Sequence, residues 1–292
     1  MARSVSSSDA KALDTLLASA PSDRGAREDV RRLSSAQVAG LTKAREARWR
    51  PGLVDQPFHS EIFASLDDAS GAGLALALAQ DALQAAELAS RQRDDPFIEV
   101  EDQRHILWVQ DKRAIERSGR PFLHGLPEPL RDRLIHVEAA NAQDALFALE
   151  EGLRCRDLAC VIGEIAGNPR ALDFTASRRL SLTAEKHGVA LWLVRLAAEA
   201  NLSSARMRWR VEAARSARPY WNPDAPGAGA WKAELFRAAH HAPGKWTLTD
   251  DKGRLSRFHP NAANADTGGI PAYSRHLVRA TVGRSLAAVA RL

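Results

Sequence analysis

Short apolar segments alternate with helix-like segments from residue 58 to about residue 250, and this alternation constrains the fold more than any other feature. Each apolar segment has the length of a strand and is bounded by polar residues. Strands that alternate with helices in this way are typical of a parallel sheet covered by helices. The predicted strands are HSEIFAS (59–65), RHILWVQ (104–110), RLIHVEA (133–139), LACVIGE (158–164) and ALWLVRL (190–196).

Three long helices are predicted between these strands. They are GLALALAQDALQAAELASR (73–91), AQDALFALEEGLR (142–154) and NPRALDFTASRRLSLTAEKHG (168–188). In the last of them, Asn168 is the predicted N-cap, Pro169 takes the first helical position, and Gly188 ends the helix. The predicted fold class is therefore α/β, with a mostly parallel sheet flanked by helices.

The periodicity changes to two after the fifth strand. In ARMRWRV (205–211) the apolar residues fall on one face of a strand and the arginines on the other. A linker rich in Pro and Gly follows, and then WKAELFRA and KWTLTDD predict an antiparallel hairpin. We therefore divide the chain into a helical N-terminal extension (1–56), a core domain (57–252) and a mostly disordered C-terminal tail (253–292) that ends in an amphipathic helix.

Composition narrows the partners and the compartment. The longest apolar run, LALALA at 74–79, is far too short to span a bilayer, so no membrane partner is expected. The N-terminus lacks the apolar segment of a secretory signal, and the chain has only two cysteines, which fits a reducing cytoplasm. The net charge of +5 favours anionic partners, nucleic acid among them.

The segment EIFASLDDASGAGLALALAQ (61–80) has the outline of a phosphate-binding loop, because an apolar strand and a glycine turn precede a long helix. A working loop needs a Lys that reaches the β- and γ-phosphates and a Ser or Thr for magnesium. Here Gly71 is followed by Ala72 and Gly73, while two aspartates place negative charge where phosphates would lie. The residues favour a structural turn over a tight nucleotide site.

Two acidic residues at strand ends are further candidates for a site. Asp111 follows the second predicted strand and Glu164 ends the fourth, at the edge where ligands gather in parallel sheets. They could hold magnesium or polarise a water molecule, but such carboxylates more often cap the next helix or pair with arginine. The nine histidines show no metal-ligand spacing, and no motif of nucleophilic or zinc catalysis occurs, so we predict no catalytic or metal-ligating residue.

A basic cluster lies on and after the arginine face of ARMRWRV. Arginines beside aromatic residues suit a nucleic-acid backbone or a protein partner, whereas charged residues also protect the edge of a sheet from pairing. Both interpretations stay open at this point. The candidate residues for binding nucleic acid or a partner are Arg206, Arg208, Arg210, Arg215 and Trp209, with Arg218, Tyr220 and Trp221 nearby.

Four blocks of the chain, in the same order, resemble the ImuA family (inducible mutagenesis protein A). They are HILWVQDKRAIERSGRPFLHGL, DALFALEEGLRCRDLACVIGEIAGNPRALDFTASRRLSLTAEKHGV, SSARMRWRV and WKAELFRAAHHAPGKWTL. The resemblance implies a RecA-like fold and a role in the bacterial DNA-damage (SOS) response. It also implies work in translesion synthesis with ImuB, a catalytically silent relative of Y-family polymerases, and with an error-prone C-family DNA polymerase. The expected location is the cytoplasm, at the nucleoid when the response is induced.

Carried over residue by residue, the resemblance implies that the parts of an ATPase are altered. Residues 65–73 fall on the phosphate loop, with Ala72 at the lysine and Gly73 at the Ser or Thr. Asp111 falls near the catalytic glutamate, and Gly163 falls on the Walker B aspartate with Glu164 beside it. Only AAEANLSS separates the fifth strand from ARMRWRV, where a recombinase has a longer DNA-binding loop. No cofactor is expected on this basis.

The leading hypothesis is a non-catalytic accessory factor in damage-induced mutagenesis that binds ImuB, the polymerase assembly and single-stranded DNA. The alternative is a DNA-dependent ATPase or recombinase that binds ATP in a degenerate loop and holds magnesium on Asp111 and Glu164. A SulA-like inhibitor of cell division is a third hypothesis, on fold analogy alone. The sequence leaves open direct DNA contact, association with RecA or with itself, and the surface that meets ImuB.

Overall fold

The computed structural model describes residues 48–54, 56–91, 102–219, 222, 224–251 and 253–258. The predicted N-terminal helices before residue 48 and the terminal helix in 259–292 lie outside the described residues. In the described part of the chain, one sheet of nine strands has the order β3-β2-β4-β5-β1-β6-β7-β8-β9. The strands are β1 His59–Ala64, β2 His105–Asp111, β3 Leu134–Ala139, β4 Leu158–Ala166, β5 Ala190–Leu196, β6 Met207–Ala213, β7 Gly229–Ala238, β8 Gly244–Asp251 and β9 Arg254–Arg257.

Strands β1 to β6 pair in parallel, and β6 to β9 continue the sheet in antiparallel pairs. The mostly parallel sheet and the C-terminal antiparallel hairpin are therefore confirmed. The helices are α1 Ser70–Arg91, α2 Lys112–Ser118, α3 Glu128–Arg131, α4 Ala142–Arg154 and α5 Phe174–His187, with a 3₁₀ turn at Leu123–Gly125. None of the described helices is long and apolar enough to cross a membrane.

The predicted start of α5 is wrong. Asp173, not Asn168, is the N-cap, because its Oδ1 accepts the Ala176 amide at 2.7 Å. The Asn168 side chain instead accepts a hydrogen bond from Arg195 at 3.1 Å. The predicted end is right: Gly188 has a φ of 71° and its N–H donates to the Ala184 carbonyl, which closes the last turn.

Two apolar layers cover the sheet. On one face α1 packs on the sheet around Ile62, Val194 and Trp209. On the other face α4 and α5 pack around Val161 and Leu193, and alanines of the two helices belong to the same apolar cluster. Because side chains alternate along a strand, each central strand contributes to both layers, which is typical of a doubly covered sheet.

The core extends beyond the predicted boundaries of 57 and 252. Trp49 is fully buried and meets Trp209 edge to face at 4.8 Å and Trp246 at 5.4 Å. At the other end β9 pairs with β8, and the Arg257 guanidinium donates to the Trp49 carbonyl. The two ends of the core domain are thus joined to each other, so a fragment of residues 57–252 would lack part of its own core.

Candidate functional site

Residues 65–73 connect β1 to α1 and include the first turn of that helix. The resemblance places a phosphate-binding loop here, so we call this segment the nucleotide-position loop. Three of its backbone amides, those of Asp67, Ser70 and Gly73, donate to groups of the loop itself. The Asp67 amide donates to the Ser65 hydroxyl at 3.1 Å, and the Ser70 amide donates to the Asp68 carboxylate at 2.8 Å. The start of α1 therefore already holds a carboxylate where an external anion would have to lie.

The glycines of this loop are explained by close packing. A Cβ on Gly71 would lie 2.7 Å from the side chains of Ala64 and Val194, so only glycine lets α1 approach β1 and β5 this closely. A Cβ on Gly73 would lie 3.0 Å from the Trp231 ring, which covers the first turn of α1. Ala72, at the predicted lysine position, packs against the core. The glycine turn thus has a structural role in the sheet–helix contact.

Asp111 caps the next helix, as its structural interpretation predicts. Its Oδ1 accepts the Ala114 amide of α2 at 2.7 Å, and its Oδ2 lies 3.3 Å from the Ala166 amide at the end of β4. The side chain is buried. Both carboxylate oxygens therefore have backbone partners, which ties the end of β2 to α2 and β4.

Glu164 of β4 pairs with Gln110 of β2 in the sheet, and neutral hydrogen-bond donors surround its carboxylate. Its Oε1 accepts from the indole N–H of Trp108 at 2.6 Å and from the Gln110 amide at 3.1 Å, and the Ser118 hydroxyl lies 3.3 Å from Oε2. Burial raises the pKa of Glu164, the three hydrogen bonds lower it, and the Asp111 charge raises it again. No cation neutralises this carboxylate among the described residues.

Gly163 has a packing role too. A Cβ at this position would approach the Leu149 side chain to 2.8 Å and Leu193 to 3.1 Å, so an aspartate there would displace α4 from β4. The residues predicted for an altered nucleotide pocket therefore do not form one group. Asp111 and Glu164 lie on neighbouring strands, whereas the loop with Gly71 follows β1, on the far side of β5. Among the residues that the structure describes, no group of three or more His, Cys, Asp or Glu could hold a metal ion.

The three arginines of ARMRWRV do not form one exposed row, which corrects the expectation from strand alternation. Arg206 is exposed and pairs with Glu185 at 3.0 Å, and Arg210 is exposed and lies 4.2 Å over the Phe236 ring. Arg208, however, is only 3% exposed, because its Nε donates to the Glu61 carboxylate at 2.8 Å. Arg208 is therefore a core residue and not a contact for nucleic acid.

The remaining members of the predicted binding cluster have different surroundings. Trp209 is fully buried in the tryptophan cluster with Trp49, so it is also a core residue. Arg215 is exposed in the segment after β6. Tyr220 and Trp221 lie outside the described residues. Of the five candidates for partner binding, the structure leaves Arg206, Arg210 and Arg215 at the surface.

A buried ionic cluster that the sequence interpretation missed lies on the α5 face of the sheet. Glu61 is fully buried in the middle of β1 and faces two arginines, Arg208 from β6 at 2.8 Å and Arg195 from β5 at 3.8 Å. Arg208 also donates to the Asn201 carbonyl at 2.8 Å and lies 5.0 Å over the Phe63 ring. The sequence feature that could have indicated this cluster is a charged residue inside each of two apolar segments, Glu61 in HSEIFA and Arg195 in ALWLVRL.

A chain of hydroxyl groups connects this cluster to a buried histidine. Ser203 donates to Glu61 at 2.8 Å and lies 2.8 Å from Ser177. From Ser177 the chain continues through Ser204 and Ser181 to His59 Nδ1, with steps of 3.1, 2.6 and 2.7 Å. Burial lowers the pKa of His59 to about 4, against the opposing effect of Glu61, so the ring is neutral at pH 7. We call His59, Glu61, Arg195, Arg208 and these serines the Glu61 cluster.

A cavity of about 320 Å³ opens beside the Glu61 cluster, between the connection that follows β4 and the connection that follows β5. Glu61, Arg195, Ser177 and Ser203 contribute to its walls. It lies at the carboxyl ends of the parallel strands, where open α/β sheets bind ligands. The connection after β5 begins with Ala197 at a φ of 46°, a left-handed conformation that is rare for a residue with a side chain. The nucleotide-position loop also follows a parallel strand, but it leads into α1, whereas the cavity is lined by α5. The two regions thus lie at the same edge of the sheet, on opposite faces.

Comparison of the chain with protein-family models and with curated proteins finds no match in either.

Proposed function

We propose that this protein is a RecA-like, non-catalytic accessory factor of damage-induced translesion synthesis. The observation that carries the proposal is the nucleotide-position loop, in which the Ser65 and Asp68 side chains accept hydrogen bonds from the Asp67 and Ser70 amides. A working phosphate loop keeps these donors free and adds a lysine for the charge that develops on phosphate. The parallel sheet, with its first strand in the middle and this loop at the end of it, supports the RecA-like placement.

The proposed partners are ImuB and an error-prone C-family DNA polymerase, as the resemblance to the ImuA family implies. In this role the α/β core serves as a scaffold for binding and does not turn over nucleotide. Its position would be cytoplasmic, at the nucleoid during the damage response. The geometry of Asp111 and Glu164 supports this view, because both carboxylates hold the fold together through hydrogen bonds.

Direct contact with single-stranded DNA is a second part of the proposal, supported by the exposed Arg210 stacked on Phe236. An arginine on an aromatic ring is a surface that suits both phosphates and bases. Arg208 is buried, so the exposed arginines of this segment are Arg206 and Arg210. They lie about 13 Å apart along the extended chain, four residues at about 3.3 Å each. That pair would contact separated phosphates and not a continuous row.

The test is to purify the full chain with and without ImuB and to measure complex formation, single-stranded DNA binding and ATP turnover side by side. We expect a complex with ImuB and no turnover above a blank without protein. Turnover that depends on DNA and magnesium, and that is abolished in Asp111→Ala or Glu164→Ala, would instead establish the alternative of a DNA-dependent ATPase. A chain that binds neither ImuB nor DNA would contradict the proposal.

A matched control is available for the exposed arginines Arg206 and Arg210. The double variant Arg206→Gln/Arg210→Gln leaves Arg208 and the core intact, and Arg113→Gln/Arg117→Gln makes the same change of charge on the exposed face of α2. If β6 contacts DNA, only the first pair lowers the affinity for single-stranded DNA and flattens its salt dependence, because fewer counterions are released. If β6 contacts ImuB, only the first pair weakens the protein complex. Equal behaviour of the two pairs would show that β6 is a solvated edge.

A further inference from the structure

The Glu61 cluster, of which Glu61 and Arg195 form part of the cavity wall, carries one more positive charge than negative charge. Arg195 and Arg208 are 5% and 3% exposed, and the carboxylate that faces both of them is Glu61. His59 adds no charge at pH 7, since burial lowers its pKa to about 4. A buried charge without a counter-ion is costly, so this arrangement favours the arrival of one further negative charge.

Arg195 is the group with unused capacity. Its Nη2 donates to the Gly167 carbonyl at 3.2 Å and to Asn168 at 3.1 Å, and its Nη1 lies 3.8 Å from Glu61, beyond hydrogen-bond length. Its Nε is buried without a partner among the described residues. Burial lowers the pKa of Arg195, Glu61 raises it and Arg208 lowers it again. An arginine in this state gains from an acceptor that reaches it through the cavity, whose wall it forms in part.

The rim of the cavity has both charged and apolar side chains. Arg170 is exposed there and forms no ion pair with any residue that the structure describes. Asp173 also lies on the rim, but its Oδ1 is held by the Ala176 amide as the N-cap of α5. The apolar side chains on the rim are Phe174, which is 41% exposed, and Leu202, which is 69% exposed. Exposed apolar groups at a polar cavity are typical of a site for a ligand with one charged and one apolar end.

We propose that this cavity binds a carboxylate that carries an apolar group, either a free organic acid or the C-terminal residue of a peptide. The carboxylate would contact Arg195 and Arg170, and the apolar group would pack on Phe174 and Leu202. A monoanion matches the one positive charge by which the Glu61 cluster exceeds neutrality, whereas a phosphate dianion would exceed it, since Arg170 and Asp173 on the rim cancel each other in charge. The volume of about 320 Å³ is at the lower end for small-ligand sites, which suits a ligand of this size.

The test uses 3-phenylpropionate as the free acid and a short peptide that ends in leucine as the second source, titrated into the full chain by calorimetry. The controls are 3-phenylpropionamide, the same peptide with an amidated C-terminus, and inorganic phosphate. We expect saturable binding of at least one carboxylate and none of its neutral amide. The free acid and the peptide distinguish the two sources. Equal binding of acid and amide, tighter binding of phosphate, or no binding at millimolar concentration would overturn the proposal.

Variants on the rim keep the test independent of folding, because Arg195 is buried and its replacement can unfold the chain. Arg170→Gln and Leu202→Ala change exposed side chains, and each should weaken carboxylate binding about tenfold, the value of one charge-assisted hydrogen bond or a similar apolar contact. Arg178→Gln, an equal change of charge on the exposed side of α5, should leave binding unchanged. Carboxylate affinity that is the same in all three variants would place the bound ligand elsewhere. This site does not depend on the proposed partners, so its failure leaves the ImuB test untouched.

Discussion

The nucleotide-position loop and the cavity beside the Glu61 cluster lie at the same edge of one sheet, on opposite faces, and differ in how their polar groups are satisfied. In the loop, Ser65 and Asp68 accept hydrogen bonds from two backbone amides, and Trp231 covers Gly73. In the cavity, Arg195 keeps a buried donor without a partner among the described residues. The Ser70 hydroxyl in the loop is also buried without a partner among the described residues, but the loop already has a carboxylate where an anion would lie, whereas the cavity has a buried cation with an unpartnered donor.

This difference teaches that sequence likeness to a ligand loop and capacity for a ligand are separate properties. The strand–turn–helix outline at 61–80 is the most visible motif of the chain, yet its glycines serve close packing. The Glu61 cluster belongs to no motif, but it concentrates charge in the interior, where electrostatic interactions are strong. We therefore place the capacity for binding on the α5 face. The predictions that follow test each side of this comparison, from the largest effect to the smallest.

The largest effect is expected for Glu61→Gln. This change removes the carboxylate between Arg195 and Arg208 while keeping the shape of the side chain. Breaking a buried ion pair from one side costs about 3–5 kcal/mol, because the partner charges stay buried. Urea unfolding at pH 7 measures this difference, with the exposed ion-pair variant Glu185→Gln as control, for which a loss of about 1 kcal/mol or less is expected. A similar small loss for both variants would contradict the importance of the cluster.

The α5 face should also lose stability in acid. The pKa of His59 is about 4 in the folded chain and ordinarily 6.5, so the unfolded chain binds a proton first as the pH falls. Stability from this residue is complete above pH 6.5 and decreases by about 3 kcal/mol as the pH falls to about 4. His59→Gln should flatten the stability profile in this window, and His124→Gln, an exposed histidine, should not. Parallel profiles for His59→Gln and the unchanged protein would show that the ring is not buried as described.

The secondary structure of this chain was predictable to a large extent, because it depends on local periodicity. Helix α4 was predicted with its observed bounds, and β1 to β5 agree within about two residues. The N-cap of α5 was misplaced, because Asn168 and Asp173 are both good caps and a tertiary contact with Arg195 decides between them. Local sequence does not contain that contact.

The Glu61 cluster was not predictable for the same reason. Glu61 and Arg208 are 147 positions apart in sequence, and only the pairing of β1 with β6 brings them together. Strand alternation correctly put Arg208 on the face opposite Trp209, but it gives no information on what covers that face. The short connection after β5 accepts a hydrogen bond from Arg208 through the Asn201 carbonyl, and the arginine is buried as a result.

On the α1 face, Gly71→Val should destabilise the fold by about 1–3 kcal/mol, since its new side chain overlaps Ala64 and Val194. Ala86→Val, on the exposed side of α1, controls for the lower helix propensity of valine. Thermal unfolding of the two variants measures the difference. If both variants unfold at the same temperature, α1 does not pack as closely on the sheet as described.

The smallest effect is expected for Glu164→Gln. Burial raises the pKa of Glu164, so the folded chain retains its proton longer than the unfolded chain, and stability falls as the pH rises above about 4.5. A neutral glutamine accepts the same Trp108 and Gln110 hydrogen bonds, so stability at pH 7 should change by about 1 kcal/mol or less, in the stabilising direction. Urea unfolding at pH 5 and pH 7 checks both the sign and the slope. A large destabilisation would mean that the fold needs the negative charge, as a magnesium site would.

The central claim, that the nucleotide-position loop is closed by its own side chains, is tested most directly by titrating ATP with magnesium into the full chain by calorimetry. The experiment is repeated with Asp67→Asn/Asp68→Asn, which removes the two carboxylates but keeps the turn. We predict no saturable binding of ATP to the natural chain at millimolar concentration, since a carboxylate lies at the start of α1, the Asp67 and Ser70 amides are occupied, and the loop has no lysine. Saturable, magnesium-dependent binding to the natural chain that Gly71→Val abolishes would contradict the account.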